Sequence, residues 1–356
     1  MTRVLVIDPE RPERERIREA ASVILRGGLV AFPTETVYGL GAHALSQEAV
    51  TGIFHAKQRP ATDPLIVHLA SGAQLPAIAA RVPTTAERLA ARFWPGPLTL
   101  ILEKAAAVPD VVTAGLRTVA VRVPSHPIAH ALLAEAGVPI AAPSANRFSR
   151  PSPTTAQHVL HDLEGRVDLV IDGGPTPIGV ESTILDLTTS PPVVRRHGGV
   201  ALEELRQVVP DVMTSIEILP ADRAQPSPGQ LLRHYAPRAP MTLYVGEVDA
   251  VASRMAVEIR AAVASGRRVG VLAPAEDLKA LAPRLAAVGA GGRVVTARCG
   301  SRRDRAAAAR DLFGALRSLD NEQVDVIFAS APEGDGIDAA IVDRLTRASE
   351  GRVVRV

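Results

Sequence analysis

Pro33-Thr-Glu-Thr-Val-Tyr-Gly-Leu-Gly41 follows the short apolar run Leu29–Phe32, and the way these residues are read decides what kind of sheet the chain builds. The run reads as a strand, and Pro33 ends it because proline has no N–H to give to a ladder. Hydroxyls at Thr34, Thr36 and Tyr38, the Glu35 carboxylate and two glycines then fall close together. A strand end that opens into so many hydrogen-bonding groups suits a ligand cradle better than a surface turn. The plainer reading, a loop whose side chains cap their own backbone, stays open. Gly39-Leu-Gly41-Ala-His-Ala44 also fits the G-x-G-x-x-A form of the dinucleotide fingerprint, with Asp63 where a ribose-binding acid would stand. That match is discounted, because the fingerprint must follow its strand at once and open a helix.

On the N-terminal side of this stretch, Ile17, Ala20, Ala21, Ile24 and Leu25 keep helical spacing and predict a helix over 13–25, stopped by Gly27-Gly28. On the C-terminal side a helix over 47–56 packs through Val50, Ile53 and Phe54. Apolar runs at 65–69, 98–102, 119–123, 138–142, 169–171, 184–187 and 193–194 read as strands. Helices are expected at 126–136, 154–163 and 201–209, the second opening with a capping box from Thr154 to Gln157. Many strands among irregularly placed helices predict an α/β domain over 1–210, a twisted mixed sheet with flanking helices. Residues 211–240 lose periodicity and carry prolines at 220, 226, 228, 237 and 240, so they read as a linker. Beyond it, strands at 241–245, 268–272, 293–296 and 324–328 alternate with helices at 248–264, 279–288, 305–319 and 339–349. That alternation predicts a smaller, Rossmann-like domain over 241–356 with a parallel sheet between helical layers.

At 356 residues the chain is too long for one ordinary core, and 47% hydrophobic with 22% charged residues is an ordinary globular balance. Lys and Arg total 40 against 38 acidic residues, so any useful positive charge must be local. Aromatics at 3% argue against a stacking surface for single-stranded nucleic acid. Cys299 is the sole cysteine, which excludes an intrachain disulfide and a cysteine-based zinc site. No apolar run approaches the ~18–20 residues that span a bilayer, and the start lacks a signal-peptide pattern, so a soluble cytoplasmic protein is expected.

Several later segments carry chemistry. Lys57-Gln-Arg59-Pro60 ends the second helix; its cations either cap the macrodipole or form a fixed fork for phosphate oxygens. Asp63 follows, and His68 interrupts the apolar strand 65–69. Arg122 stands in the apolar strand Val119-Ala-Val-Arg-Val123 with Thr118 before it; the arginine either snorkels to an edge or grips a carboxylate in a cleft. Ser144-Ala-Asn146 and Pro151-Ser-Pro153 run from a strand end towards a helix start, a general arrangement for anions. Glu181-Ser-Thr183 precedes a strand, and Arg195-Arg-His197 follows one. His126 and His130 share a helix face but have no third ligand nearby. There is no Walker A sequence, nucleophile elbow, CxxC or HExxH.

Taken in order, these segments resemble the threonylcarbamoyl-AMP synthase family in its long form, including Ser227-Pro-Gly229 and His234-Tyr-Ala-Pro237 in the linker. The resemblance covers the first domain and linker closely and the last domain more loosely. It implies a YrdC-like first domain around a basic cleft that combines L-threonine, bicarbonate and ATP into threonylcarbamoyl-AMP and pyrophosphate, for threonylcarbamoyladenosine in tRNA. It implies that Thr36, His68, Arg122, Ala142 and Ser182 hold threonine. Lys57, Arg59, Asp63, Thr118, Ser144, Asn146, Ser152, Arg196, His234 and Tyr235 would hold ATP, with Mg²⁺ accompanying the triphosphate and no protein metal ligand assigned. Such chemistry rests on positioning and charge neutralisation, chiefly by Lys57 and Arg59, with no covalent catalyst assigned. The product would pass to a downstream tRNA-modifying transferase; direct tRNA binding stays open. The chain departs from the family pattern at Gln230-Leu-Leu232, where a basic and an aromatic residue are usual. The alternative from another class is a non-catalytic RNA- or tRNA-binding module, opposed by the near-neutral charge and few aromatics.

Overall fold

The computed structural model describes residues 1–215, 220, 222–289 and 292–356, so part of the proline-rich linker lies outside the described residues. By contact density the chain divides into two compact units, Met1–Phe148 with Ser152–Leu231, and Ser149–Pro151 with Leu232–Val356.

The first unit contains the strands β1 (Arg3–Val6), β2 (Val30–Phe32), β3 (Gly39–His43), β4 (Ile66–His68), β5 (Leu98–Glu103), β6 (Thr118–Arg122), β7 (Ile140–Ala141), β8 (Leu169–Asp172), β9 (Thr183–Asp186), β10 (Val193–Arg196) and β11 (Met213–Thr214). They join in one 11-stranded sheet in the order β1-β8-β2-β3-β7-β4-β6-β5-β9-β10-β11. The pairing is mixed, for example parallel in β4–β6 and antiparallel in β5–β6, as the irregular helix placement predicts. Its helices are α1 (Arg14–Leu25), α2 (Gln47–Lys57), α3 (Leu75–Ile78), α4 (Thr84–Phe93), α5 (Asp110–Thr113), α6 (Pro127–Ala136), α7 (Ala156–Leu163) and α8 (Leu202–Arg206).

The period of two along each strand sorts side chains to the two faces. Val30, Phe32, Ile140, Leu169 and Ile171 pack with Ile17, Ile24, Ile128 and Leu132 of α1 and α6. The intervening Ala31, Ala141 and Val170 join a larger core on the other face with Ile53 of α2, Leu89 of α4 and Val159 of α7. In the other half of the sheet the larger core takes Val67, Val121, Leu100 and Leu185. Ile66, Ala120, Ile101 and Ile184 form a small separate cluster on the opposite face.

Two local readings change. Gly39–His43 is a strand, antiparallel to β2, so the discounted dinucleotide fingerprint is indeed not one. A Cβ at Gly41 would come within 2.7 Å of the Phe32 ring and 2.8 Å of Ile140, so glycine there permits strand packing. The capping box expected at Thr154 is replaced by a cap one residue later, where the Thr155 hydroxyl accepts from the His158 amide at 3.3 Å.

The second unit alternates β12 (Met241–Val245), α9 (Val248–Ala264), β13 (Val269–Ala273), α10 (Ala275–Gly289), β14 (Val294–Arg298), α11 (Arg305–Asn321), β15 (Val326–Ala331), α12 (Ile337–Ala348) and β16 (Val353–Arg355). Its sheet is entirely parallel, in the order β14-β13-β15-β12-β16. The predicted parallel α/β class holds, with β16 as a strand that the sequence pattern did not reveal. The buried strand Val269–Ala273 has no polar alternation because both its faces are covered.

Candidate active site

The separate cluster Ile66, Ala120, Ile101 and Ile184 is the floor of the candidate site. Two residues further along the same strands, on the same face, stand His68, Arg122 and, at the facing end of β5, Thr99. The register places His68 beside Arg122 and Arg122 beside Thr99. Ser182 precedes β9, and its hydroxyl meets that of Thr99 at 2.8 Å. A polar row therefore crosses neighbouring strands at one end of an apolar floor.

Arg122 is buried, so its charge must be met locally. Its Nε donates to the Gly96 carbonyl at 3.3 Å and one terminal nitrogen donates to the Thr36 hydroxyl at 3.0 Å. The other terminal nitrogen lies 2.6 Å from the Glu35 carboxylate. The loop after β2 is held from within: Thr34 and Thr36 hydroxyls meet at 2.8 Å, and Thr34 donates to the Val37 carbonyl at 2.6 Å. Ile178 and Gly179 amides clamp it by donating to the Glu35 and Thr36 carbonyls at 3.0 and 3.1 Å. The plainer reading of the stretch holds for the Thr34 and Thr36 hydroxyls, which cap the loop, while Thr36 also turns to Arg122.

Burial, reinforced by the neighbouring Arg122 charge, lowers His68 to about 3, so its ring is neutral near pH 7. Its Nδ1 faces the Ile66 carbonyl at 3.1 Å, and a carbonyl only accepts. The tautomer with its proton on Nδ1 makes that bond and presents Nε2 as an acceptor, and the Ile140 carbonyl also approaches the ring. The Ala142 amide donates to the Ile66 carbonyl at 2.9 Å, which leaves the Ala142 carbonyl as the group it can offer a ligand.

A second group is cationic. Lys57 ends α2, and its Nζ donates to the Ser144 and Asn146 carbonyls, each at 2.5 Å. The Ser144 hydroxyl donates to the Asn146 amide oxygen at 2.6 Å, which fixes that loop. Arg59 pairs with the fully buried Asp63 at 2.9 Å and donates to the Asp63 and Pro64 carbonyls at 3.0 and 2.8 Å. Burial pushes the Asp63 carboxyl up, against the pull of Arg59, Lys57 and Arg196, so three cations act on one carboxylate. Arg196 joins the two groups: its guanidinium donates to the Ser182 carbonyl at 3.1 Å and to the Ser182 hydroxyl at 3.2 Å. Ser152 donates to Glu181 at 2.5 Å.

Family models match both halves of the chain: one described as "Telomere recombination" over residues 22–198, and one described as "Threonylcarbamoyl-AMP synthase, C-terminal domain" over residues 200–350. A threonylcarbamoyl-AMP synthase of Pyrococcus abyssi is 45% identical over 357 residues, covering 98% of this chain and 98% of that protein. The chain belongs to the threonylcarbamoyl-AMP synthase family. A Bacillus subtilis threonylcarbamoyl-AMP synthase is 43% identical over 341 residues, or 96% of this chain and 94% of that one. The crystal structure of P. abyssi Sua5 complexed with L-threonine matches with a TM-score of 0.90 at 44% identity, over 100% of both chains.

Within this member of the synthase family, most of the expected residues fall into the two groups. Thr118 stands apart: it opens β6, half-buried and paired with Glu103, at the far end of the strand from Arg122. That separation is about 13 Å at strand rise. One step of two residues back from the Ile66–Ala120 pair lies Pro64, so Thr118 neighbours the Arg59 and Asp63 end. His234 and Tyr235 belong to the second unit, where the Tyr235 ring stacks on Phe313 at 5.3 Å and lies under Arg344 at 5.2 Å. His126 caps α6, its Nδ1 accepting from the Ile128 amide at 3.2 Å. The residue-level reading missed Thr99 and gave Glu35 no role. The signal for Thr99 was a lone hydroxyl in the apolar strand Leu98–Leu102.

Proposed function

We propose that this chain is an L-threonylcarbamoyladenylate synthase, which joins L-threonine, bicarbonate and ATP and releases pyrophosphate. The observation that carries the reading is the division of the polar residues around one apolar cluster into two unlike groups. Arg122, Thr36, His68 and Ser182 offer a guanidinium, hydroxyls and a neutral imidazole, which together match a hydroxy amino acid. The Arg122 fork takes the threonine carboxylate, and His68 Nε2 accepts from its hydroxyl. Lys57, Arg59 and Arg196, which all act on the buried Asp63, form the other group and match a triphosphate.

In this reading threonine's amine becomes a carbamate, and a carbamate oxygen attacks the α-phosphorus of ATP. The protein's share is alignment and neutralisation of the charge that develops on the phosphate oxygens. Mg²⁺ would accompany the triphosphate and help to neutralise its charge. Asp63 is the buried carboxylate of that group, and Arg59 already holds it, so the ion is assigned to the nucleotide rather than to a protein cage. The adenylate then passes to a tRNA-modifying transferase. The L-threonine complex of the P. abyssi protein supports the amino-acid end of this reading.

The test is pyrophosphate release from ATP with L-threonine and bicarbonate supplied or withheld. Release that needs both supports the assignment. Tight tRNA binding with no turnover would favour the binding-module reading.

A further inference from the structure

Glu35 is a buried carboxylate that the chemistry above does not use. It touches one terminal nitrogen of Arg122 at 2.6 Å, but neither of its oxygens receives a hydrogen bond of acceptable geometry. That is a costly way to bury a carboxylate, because one misaligned contact does not replace the hydration it has lost. Gly96 and Thr36 meet two other nitrogens of Arg122 but are neutral, so Glu35 is the counter-charge of the guanidinium and stands beside its remaining nitrogen. Of the other buried carboxylates of the first unit, Asp63 resembles Glu35 in having an ion pair but no well-aligned hydrogen bond at either oxygen, whereas the rest accept one. Asp63 pairs with Arg59, Glu181 accepts from Ser152, Asp186 pairs with Arg195 and Asp162 accepts from the Arg147 amide.

An α-amino acid is a zwitterion. If its carboxylate docks on Arg122, its ammonium lies within a few ångströms of the same guanidinium, the distance set by one tetrahedral carbon. The group at that place is Glu35, and its backbone is clamped there by the Ile178 amide at 3.0 Å.

We infer that Glu35 binds the substrate's α-ammonium and takes a proton from it as the carbamate forms, which makes it a catalytic residue of this site. This rests on the threonine reading given above. One ammonium N–H bond breaks, and its proton passes to a Glu35 oxygen. The freed lone pair forms the N–C bond with the bicarbonate carbon, whose hydroxyl leaves with a second amine proton as water. Ammonium, bicarbonate and carboxylate thus become carbamate, water and carboxylic acid, with atoms and charge balanced. Glu35 thereby supplies both an ammonium ligand and a base to the site.

The test is calorimetric titration of the full chain with L-threonine and with the analogue in which a hydroxyl replaces the amine. Wild type is expected to favour threonine at least about tenfold, the scale of one charge-assisted contact. Glu35→Gln should bring the two ligands within about threefold, with the analogue's affinity unchanged, which also reports an intact site. Glu35→Asp should keep part of the preference. Glu35→Gln weakening both ligands equally would assign Glu35 to holding Arg122 and overturn the inference. An undiminished preference would overturn it too. If wild type binds no threonine, the functional reading itself fails; if it does and Glu35→Gln retains the preference, only the inference fails.

Discussion

Arg122 shows at the scale of one residue why a buried charge in an apolar strand is informative. Its neighbours Val121 and Val123 are core, and its own head is held by Gly96, Thr36 and Glu35 instead of reaching solvent. The snorkelling alternative is therefore set aside. Lysine cannot present the same planar fork, so Arg122→Lys should lower kcat/KM for threonine about 10- to 100-fold, as read by steady-state kinetics. An unchanged kcat/KM would remove Arg122 from the carboxylate role. His68 makes a prediction about pH. Its folded value is about 3 against an ordinary 6.5, so between those values the unfolded chain binds the proton and the folded chain does not. Stability must then fall as pH drops from about 6.5 towards 3, and His68→Gln should flatten that part of the melting-temperature profile. For the same reason threonine affinity should show no His68 titration between about pH 6 and 8.

Among elements, the strands and long helices were legible where one face is buried. Helix α1 reads directly from Ile17, Ala20, Ala21 and Ile24, all buried. The four-residue helices α3 and α5 are too short to show a period, whereas α4 was missed although Ala86, Leu89, Ala90 and Phe93 keep helical spacing. Strand β3 was hidden by its glycines, which weaken strand propensity but are needed for the approach of Phe32 and Ile140. Part of the site was legible because charged and hydroxyl residues interrupt apolar runs, as at His68 and Arg122. The pairing of Thr99 with Ser182 was not, since it depends on β5 lying beside β9, a neighbour 83 residues away in sequence. The turn after β10 shows the same dependence on distant packing. A Cβ on Gly198 would fall 2.2 Å from the Glu181 carbonyl oxygen and 2.4 Å from the Ser182 carbonyl carbon, both of them backbone. Gly198→Ala should therefore displace the segment that carries Ser182 and its Arg196 contacts. The expected outcome is a melting temperature several degrees lower, from a destabilisation of about 1–3 kcal/mol, together with a raised threonine KM. A variant with wild-type melting and KM would show that this turn does not position Ser182.

At the scale of the whole molecule, two differently built sheets follow from two different patterns of the same residue classes. Irregular helices among short strands give the mixed sheet, and strict alternation gives the parallel one. The strand orders were beyond the sequence, because crossovers such as β13 to β14 and back to β15 leave no local trace. The near-neutral total charge, +2, also conceals that Lys57, Arg59 and Arg196 all act on the buried Asp63 of the first unit. Among the described residues no helix is long and apolar enough to cross a membrane. The central claim is that one group of residues selects a hydroxy amino acid and the other a triphosphate, and that both are used in one reaction. Its most direct test is pyrophosphate release by the full chain in four mixtures: complete, and lacking in turn ATP, L-threonine or bicarbonate. Release confined to the complete mixture is the predicted result; release that persists at the same rate without threonine would contradict the account.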